Sequence, residues 1–279
     1  MRNVTNVFAM RTLRRTPAPT AGRLKAQRGE RDFVTALARG LDVMRAFSGQ
    51  QAEQLALADI AKLVALPRAT VRRSLITLCA LGYMEESDKR FRLAPKVLTL
   101  AQAYLSSNLL PRIARPLVER VSAELAESCS VSILHETEVI YVARSTNKRL
   151  SALLGDVGSR RPAYCTSMGR VLLAHLPERS LDAYFRAVEL KPLTAHTITD
   201  ESELRALLVK IRKQEFCLSD QQMEFDLRTI AVPLRNNAGQ VVAAMHASTQ
   251  ASRTTKQQMI QKFLPVLRKA ATEIRALLV

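Results

Sequence analysis

Three arginines and one threonine share a side of a predicted helix over residues 68–81. These four residues are Arg68, Thr70, Arg72 and Arg73. Arginine can donate two parallel hydrogen bonds to O6 and N7 of guanine, and threonine suits a phosphate or a thymine methyl group. The pattern favours a helix that enters the major groove of DNA. The alternative is a solvated basic face on an ordinary helical hairpin.

The neighbouring elements would place that helix across a second one. Apolar residues recur at helical spacing over residues 33–47, and a short helix is predicted over residues 57–64. Pro67 suits the start of the helix that follows, and Gly82 suits its end. Two short helices separated by a brief break predict a helix-turn-helix. In that motif the first helix packs across the second and leaves the arginine face uncovered.

A basic hairpin is predicted directly after this helix. Residues 83–85 and 91–93 have the pattern of short strands around a polar turn. The tip of the hairpin carries Lys89, Arg90 and Arg92, which would contact phosphates or the minor groove. Together, the helices and the basic hairpin predict a winged helix-turn-helix that binds DNA.

Polar residues also interrupt the apolar strands in the second half of the chain. His246 stands within the strand predicted over residues 241–248, and alternation places Ser248 on the same face. Such a polar face is either exposed to solvent or lines a cavity. Asp220 precedes the strand predicted over residues 229–234, which indicates either the rim of a pocket or a solvated loop.

The charge of the chain favours a polyanionic partner. Its 279 residues include 42 Lys and Arg against 25 Asp and Glu, which gives a formal charge of +17. Residues 1–30 hold seven basic residues and one acid, so +6 of the excess lies there, which predicts a mobile basic arm. A tail that binds nucleic acid and a tail that only improves solubility both fit this stretch.

Several classes of protein and site are excluded by what the sequence lacks. No apolar run approaches the ~18–20 residues of a membrane span, and the start of the chain has no apolar signal region. The four cysteines are widely separated, which predicts reduced thiols in a cytoplasm. Because the chain has no P-loop, dinucleotide-binding, serine-hydrolase or zinc-protease motif, we expect no metal, no cofactor and no enzymatic activity.

The order of the predicted elements indicates an α+β chain with two domains. A winged helix-turn-helix is expected over residues 31–94, followed by a linker helix over residues 95–110. Residues 111–279 combine helical and strand patterns, including a strand over residues 149–154 and a final helix that Pro265 should bend or break. This larger part predicts a mixed antiparallel sheet flanked by helices, large enough to enclose a small ligand.

Three stretches resemble the IclR-type family of bacterial transcriptional regulators. They are ADIAKLVALPRATVRRSLITLCALGYME over residues 58–85, GSRRPAYCTSMGRVLLA over residues 158–174 and DQQMEFDLRTIAVPLRNNAGQVVAAMHAS over residues 220–248. The resemblance covers about residues 33–279. The second stretch is similar to the subgroup that regulates protocatechuate, 4-hydroxybenzoate and β-ketoadipate catabolism.

This resemblance implies an N-terminal winged helix-turn-helix, a linker helix and a GAF-like effector domain, in a chain that acts as a dimer or a dimer of dimers. The family's effector contacts, carried over by position, fall on Ser167, Met168, Asp220, Leu227, Thr229, His246 and Ser248. Further candidates for contact with an aromatic or dicarboxylic acid are Arg160 and Arg161, which suit a carboxylate, and Tyr164, which suits a ring.

The expected function is a ligand-responsive regulator that binds a pseudo-palindromic DNA site as a homodimer and takes a small organic acid as effector. We expect it in the cytoplasm, associated with the nucleoid. Two alternatives stay open, an enzyme whose basic N-terminal part is a scaffold and a nonspecific DNA-binding protein. The enzyme needs a nucleophile and a base that the sequence does not display. The nonspecific protein should bind operator and random DNA with similar affinity.

Overall fold

The computed structural model describes three stretches of the chain, residues 33–48, 52–145 and 156–278. They form two compact units, which divide between Leu100 and Ala101. The basic arm expected over residues 1–30 and the strand expected over residues 149–154 lie outside the described residues.

The first unit combines helices with a three-stranded sheet. Its elements are α1 (Thr35–Arg45), β1 (Leu55–Ala56), α2 (Leu57–Val64), α3 (Arg68–Ala80), β2 (Met84–Ser87) and β3 (Arg90–Leu93). Val71 and Leu75 on one side of α3 are fully buried together with Val43 of α1 and Ile60 of α2. This apolar centre holds α3 by one face, as the spacing of its apolar residues predicts.

The turn between α2 and α3 is closed by its backbone. Ala65 ends α2 in the left-handed conformation, with φ at 51°, and the amide of Leu66 donates to the carbonyl of Ala61. Pro67 is the N-cap of α3, and its carbonyl accepts from the amide of Val71. The break predicted at Pro67 is therefore a tight turn, which lets the two helices pack against each other.

The strands of the first unit form an antiparallel sheet in the order β1-β3-β2. Ser87 pairs with Arg90, so the hairpin turn is limited to Asp88 and Lys89, whose φ angles are 52° and 59°. Positive φ at both central residues is the type I′ geometry that matches the twist of the flanking strands. The turn is shorter than the one expected over residues 87–90, because Arg90 already belongs to β3.

Helix α4 (Val97–Ser107) contains the division between the two units. None of its residues is buried, although its sequence, VLTLAQAYLSS, is mostly apolar. Leu98 is 70% exposed and Tyr104 is 42% exposed. Because an apolar helix with no buried side chain gains little from the hydrophobic effect, this helix offers surface to a partner.

The second unit is a six-stranded sheet with helices on both faces. Its helices are α5 (Leu109–Leu125), α6 (Ser167–Ala174), α7 (Glu178–Ala187), α8 (Glu201–Gln214), α9 (Lys256–Gln258) and α10 (Leu264–Arg275). Its strands are β4 (Ser128–His135), β5 (Glu138–Ser145), β6 (Arg160–Pro162), β7 (Cys217–Asp220), β8 (Leu227–Arg235) and β9 (Val241–Gln250). The strand order is β6-β5-β4-β9-β8-β7, and every neighbouring pair is antiparallel. This is the α+β fold class expected from the sequence.

Alternation along β8 divides the sheet into two faces. Ile230 and Val232 belong to the core formed with α5 and α10, which Phe263 and Leu267 complete. Ala231 points to the other face and packs with α6. Every residue of α6 is buried, so this helix lies deep among the sheet and the helices α7 and α8.

The first turn of α6 is fixed by two contacts. A Cβ atom at Gly169 would collide with main-chain atoms of Ala163, so this close approach requires glycine. Thr166 caps the helix, and its Oγ1 accepts from the amide of Gly169 at 3.2 Å. These contacts determine where Ser167 and Met168, in the first turn, are placed.

The last helix is interrupted just before Pro265, as the sequence predicts. α9 ends at Gln258, a π-helical turn spans Met259–Phe263, and α10 begins at Leu264. Proline has no amide hydrogen to continue the helical ladder, and a wider turn before it accommodates the missing bond.

Candidate functional site

The outer face of α3 is basic and open to solvent. Arg68, Arg72 and Arg73 are exposed, whereas Val71 and Leu75 on the inner face are fully buried. In the described part of the chain, none of these arginines forms an ion pair with a carboxylate. Thr70, the fourth residue predicted to contact DNA, lies partly buried at the edge of this face. Three guanidinium groups without counter-charges near the positive end of a helix attract a polyanion.

The hairpin between β2 and β3 adds further positive charge. Lys89 in its turn and Arg90 at the start of β3 are exposed. Arg92, which we also expected at the tip, pairs instead with Glu85 at 2.7 Å and lies 3.5 Å from Glu53. Because these carboxylates neutralise Arg92, the charge that the wing can offer to DNA comes from Lys89 and Arg90.

The second unit has a narrow pocket, about 10 Å³ in volume, between α6 and the sheet. Its walls come from four strands, from α6 and the residues before it, and from the turn between β7 and β8. The lining residues are Tyr141, Cys165, Thr166, Met168, Ser219, Met223, Leu227, Thr229 and His246. Mostly apolar walls with a few polar groups are typical of sites that bind a small organic molecule, and this pocket would have to widen to admit one.

His246 is one of three titratable residues in this lining, together with Tyr141 and Cys165. It is 1% exposed, and its ring stacks on Tyr141 with centroids 5.9 Å apart and planes 15° from parallel. Burial and, to a smaller extent, the charge of Arg144 together lower the pKa of His246 to about 3. The imidazole is therefore neutral at physiological pH. Its Nδ1 has no hydrogen-bond partner among the described residues, so this atom is available to a ligand.

Three serine hydroxyls are also buried without a hydrogen-bond partner in the described part of the chain. They belong to Ser130, Ser132 and Ser167. Ser130 pairs with His246 across the sheet, Ser132 pairs with Tyr141, and Ser167 precedes the lining residue Met168. An unsatisfied buried polar group costs about 1–3 kcal/mol, and native proteins leave few of them. A polar ligand would supply the missing partners.

Arg144 places a positive charge beside these polar groups. Its guanidinium carbon lies 5.3 Å from the centre of the Tyr141 ring, and it pairs with Ser130 across β4 and β5. Burial lowers the pKa of Arg144, but a guanidinium stays charged at physiological pH. A cation beside an aromatic ring and neutral hydrogen-bonding groups suits an organic acid, because its carboxylate can bind the guanidinium.

Most of the expected effector contacts lie at this cavity. Four of them line it, namely Met168, Leu227, Thr229 and His246. Ser167 and Ser248 do not line it, but both are buried, and they stand one and two residues from the lining residues Met168 and His246. The hydroxyl of Ser248 donates to the carbonyl of Ser128 at 3.4 Å, whereas that of Ser167 keeps its hydrogen-bonding capacity for a ligand.

Asp220, which we also expected to contact an effector, is not among the residues that line the cavity. Its neighbour Ser219 lines the cavity, and alternation along β7 turns Asp220 away. The carboxylate accepts from Arg228 at 2.8 Å and pairs with Lys256 at 2.9 Å. Burial alone would raise the pKa of Asp220, but the hydrogen bonds from Arg228 and Lys256 lower it. Asp220 therefore joins β7, β8 and α9.

The remaining candidates before α6 are engaged elsewhere. Arg160 donates to Glu138 at 2.6 Å, and the hydroxyl of Tyr164 donates to the carbonyl of Lys191 at 2.7 Å. Neither residue lines the cavity, and Arg161 is absent from the lining too. Arg144, which was not among the expected contacts and also does not line the pocket, lies over the Tyr141 ring, and the charge of Arg161 acts on Tyr141 as well.

The described residues offer no sign of a metal centre or of a reactive thiol. Within the three described stretches, no group of three or more His, Cys, Asp or Glu side chains could hold a metal ion. No described helix is long and apolar enough to cross a bilayer. Burial raises the pKa of Cys129 and Cys165 to about 12, so both thiols are protonated at physiological pH.

Comparison with known families covers both units. The family described as Bacterial transcriptional regulator IclR C-terminal matches residues 102–276, more than half of the chain. The family described as IclR helix-turn-helix domain matches residues 36–88. The chain belongs to the IclR family of bacterial transcriptional regulators. The basic helix α3 and the cavity thus lie in the two parts by which IclR proteins are recognised, and the family expected from the sequence is confirmed.

Individual IclR proteins resemble this chain over most of its length. The Pca regulon regulatory protein of Pseudomonas putida is 43% identical over 258 residues, which cover 92% of this chain and 88% of that protein. An IclR homolog from Microbacterium hydrocarbonoxydans, solved in complex with 4-hydroxybenzoate, is 27% identical with a TM-score of 0.74, covering 87% of this chain and 98% of that one.

A third IclR relative covers the second unit. It is a double mutant of the PobR inducer-binding domain from Acinetobacter, solved in complex with 3-hydroxybenzoic acid. It is 34% identical to this chain, with a TM-score of 0.56, and covers 60% of this chain and 97% of that one. Its similarity therefore falls on the unit that contains the cavity rather than on the basic helix.

Proposed function

We propose that this IclR protein is a ligand-responsive regulator of genes for aromatic-acid catabolism. The observation that carries the proposal is the mostly apolar pocket lined by the neutral His246, with Arg144 and the unpartnered serine hydroxyls at neighbouring positions outside its lining. The Pca regulon relative and the two benzoate complexes support it, because they connect similar chains to aromatic acids.

The proposed effector is a small organic acid, either an aromatic acid such as protocatechuate or 4-hydroxybenzoate, or β-ketoadipate. Its carboxylate would bind Arg144, and its apolar part would lie against Met168 and Leu227. A hydroxyl or keto oxygen would bond to Nδ1 of His246 or to the hydroxyl of Thr229. These contact residues lie on β5, α6, β8 and β9, so an effector would contact both the sheet and the helix α6 that packs on it.

The proposed DNA contacts come from the basic helix face and the wing. They are Arg68, Thr70, Arg72 and Arg73 in the major groove, and Lys89 and Arg90 on the phosphate backbone or in the minor groove. Two copies of the first unit would read a pseudo-palindromic operator, with half-sites about one or more helical turns apart. The domain boundaries proposed are 31–94, 95–110 and 111–279.

A homodimer, with a dimer of dimers as the larger form, is the assembly we propose. α4 has no buried residue, and α1 exposes Val34, Leu37 and Leu41 at helical spacing. A second copy covering these apolar faces would remove them from water. An effector that binds one arrangement of the DNA-binding units more tightly than another would shift the balance between them, which is how it would change operator affinity.

A panel of acids tests the effector site on the full-length protein. We expect 4-hydroxybenzoate, protocatechuate or β-ketoadipate to raise the melting temperature and to change affinity for promoter DNA. The ligand-induced shift should vanish in His246→Ala and Ser167→Ala. Asp220→Asn is the matched control, because its side chain faces away from the cavity and the shift should remain. No response of the wild-type protein to any acid would contradict the proposed effectors.

The same protein and acids also test the two alternative functions, an enzyme and a nonspecific DNA-binding protein. We propose that the protein has no enzymatic activity and works in the cytoplasm at the nucleoid, so incubation should leave the acids unchanged. Conversion of an acid, with or without added metal, would instead support an enzyme. Titration at matched salt should show operator DNA bound ~10³-fold more tightly than random DNA, and equal affinities would support a nonspecific DNA-binding protein.

A further inference from the structure

Arg170 is a buried cation in the middle of the second unit. It lies on α6, and only 1% of it is exposed. In the described part of the chain no carboxylate lies within ion-pair distance of Arg170, its hydrogen bonds are to neutral oxygens, and Glu203 acts on it only through a weaker charge interaction. Burying a guanidinium without a direct ion pair is unfavourable, and burial lowers its pKa. Its neutral partners must therefore hold it in place.

The two partners of Arg170 each stand next to residues that line the cavity. Its Nε donates to the carbonyl of Tyr164 at 2.6 Å, directly before the lining residues Cys165 and Thr166. Its Nη2 donates to Oε1 of Gln222, which directly precedes Met223, another lining residue. One side chain therefore ties the first turn of α6 to the turn between β7 and β8.

Gln222 also accepts hydrogen bonds from a third segment, residues 194–198. Its Oε1 accepts from the amide of Ile198 at 3.2 Å, and its main-chain carbonyl accepts from the hydroxyl of Thr197 at 2.6 Å. Thr194 makes a similar bond to the carbonyl of Gln221 at 2.7 Å. These bonds hold the start of segment 221–226, which has no strand or helix of its own.

The other half of that segment is partly exposed, and Asp226 at its end accepts hydrogen bonds from Ser252 and Ala251. Phe225 is 77% exposed, and Met223 stands on a turn, whereas most of the lining residues lie on strands or on α6. A turn opens at lower free energy than a hydrogen-bonded strand or a buried helix. Segment 221–226 is therefore the wall through which a ligand enters and leaves with least disruption of the fold.

We propose that Arg170 and Gln222 are positioning residues, which hold segment 221–226 closed over the cavity and so set how long an effector stays bound. Neither residue lines the cavity, so they act through Met223 and the residues around it rather than by touching the ligand. The inference rests on the proposed role of the cavity as the effector site.

The test replaces Gln222 in the full-length protein. Gln222→Leu leaves Arg170 without its second acceptor, so hydrogen exchange in the peptide covering residues 221–226 should rise about 10-fold without ligand, the size expected for losing one bond to a charged group. Dissociation of 4-hydroxybenzoate or protocatechuate should accelerate by a similar factor. Gln222→Glu keeps an acceptor for Arg170 and should retain wild-type exchange and dissociation. Gln240→Leu, on the exposed β8–β9 turn, is the matched control.

A double variant separates positioning from simple stabilisation. Arg170→Met with Gln222→Leu removes the buried charge, so its melting temperature should return toward that of wild type while dissociation and exchange stay fast. Wild-type exchange in 221–226 of Gln222→Leu would overturn the proposal, as would wild-type dissociation rates in the double variant. If the wild-type protein binds neither acid, the proposed effectors fail, and the exchange measurement alone decides whether this pair holds the segment.

Discussion

Acid should destabilise the second unit through one buried histidine. The pKa of His246 is lowered from 6.5 to about 3 by burial and by the charge of Arg144. Between these two pH values His246 is protonated in the unfolded chain but neutral in the folded chain. The free energy of unfolding therefore falls as the pH is lowered from 6.5 towards about 3. At about pH 5 the folded state loses about 2 kcal/mol relative to neutral pH, and the loss approaches ~5 kcal/mol near pH 3.

The measurement compares the wild-type protein with His246→Phe, which keeps a ring beside Tyr141 but cannot take up a proton. The free energy of unfolding of the second unit is followed by amide exchange in β8 and β9, from about pH 8 to about pH 5. The wild-type protein should lose about 2 kcal/mol more than the variant over this range. His196→Gln removes an exposed histidine and should keep the wild-type slope.

Equal slopes for the wild-type protein and His246→Phe would refute this reasoning. They would mean that His246 takes up its proton in the folded state at nearly the same pH as in the unfolded chain. The neutral imidazole on which the proposed ligand contacts depend would then be absent below neutral pH.

Three further predictions concern single arginines and one glycine. Arg72→Ala should cost ~1–3 kcal/mol of operator binding and relax discrimination at one base pair, and an unchanged titration on operator variants would contradict the assigned contact. Arg144→Met should weaken binding of an acid effector about 10-fold or more by calorimetry, whereas Arg160→Met, outside the cavity, should leave it unchanged. Gly169→Ala should lower the stability of the second unit by ~1–3 kcal/mol in denaturant unfolding, because its Cβ meets the backbone of Ala163.

Local signals were enough to locate the DNA-binding part of the chain. The helix predicted over residues 57–64 is observed as Leu57–Val64, and the helix predicted from Arg68 ends one residue earlier than expected, at Ala80. Gly82 follows it with φ at 74°, the left-handed conformation for which glycine is suited. Apolar spacing and chain breakers act over a few residues, so they can be read from the sequence alone.

The elements that the sequence did not predict depend on distant partners. β6 spans three residues and β7 spans four, too few for alternation to be distinguished from a loop. They exist as strands because they pair with β5 and β8 at the two edges of the sheet. The same cause limits what the sequence says about Asp220, since only its register with Arg228 decides which face of the sheet it occupies.

Arg144 was missed for a related reason. It lies three residues after Tyr141, so regular alternation would place the two side chains on opposite faces of β5. A bulge between Val131 and Ser132 shifts the register, so Tyr141 pairs with Ser132 while Arg144 pairs with Ser130. Both side chains thus share the cavity face. No local pattern in the sequence predicts this bulge. The one related signal is Arg144 itself, a single charged residue near the end of a mostly apolar strand.

The close approach of Gly169 to Ala163 has a consequence for how ligand preference could change in evolution. Because main-chain atoms set the position of α6 at this contact, exchanging the side chains that project from α6 does not move the helix. Met168 and Met223 project from α6 and from the neighbouring turn, and unbranched thioether chains adapt to differently shaped neighbours. Replacing these two methionines would change which acids the protein binds, larger or smaller ones. The backbone of the second unit and the DNA sequence that the first unit recognises would stay the same.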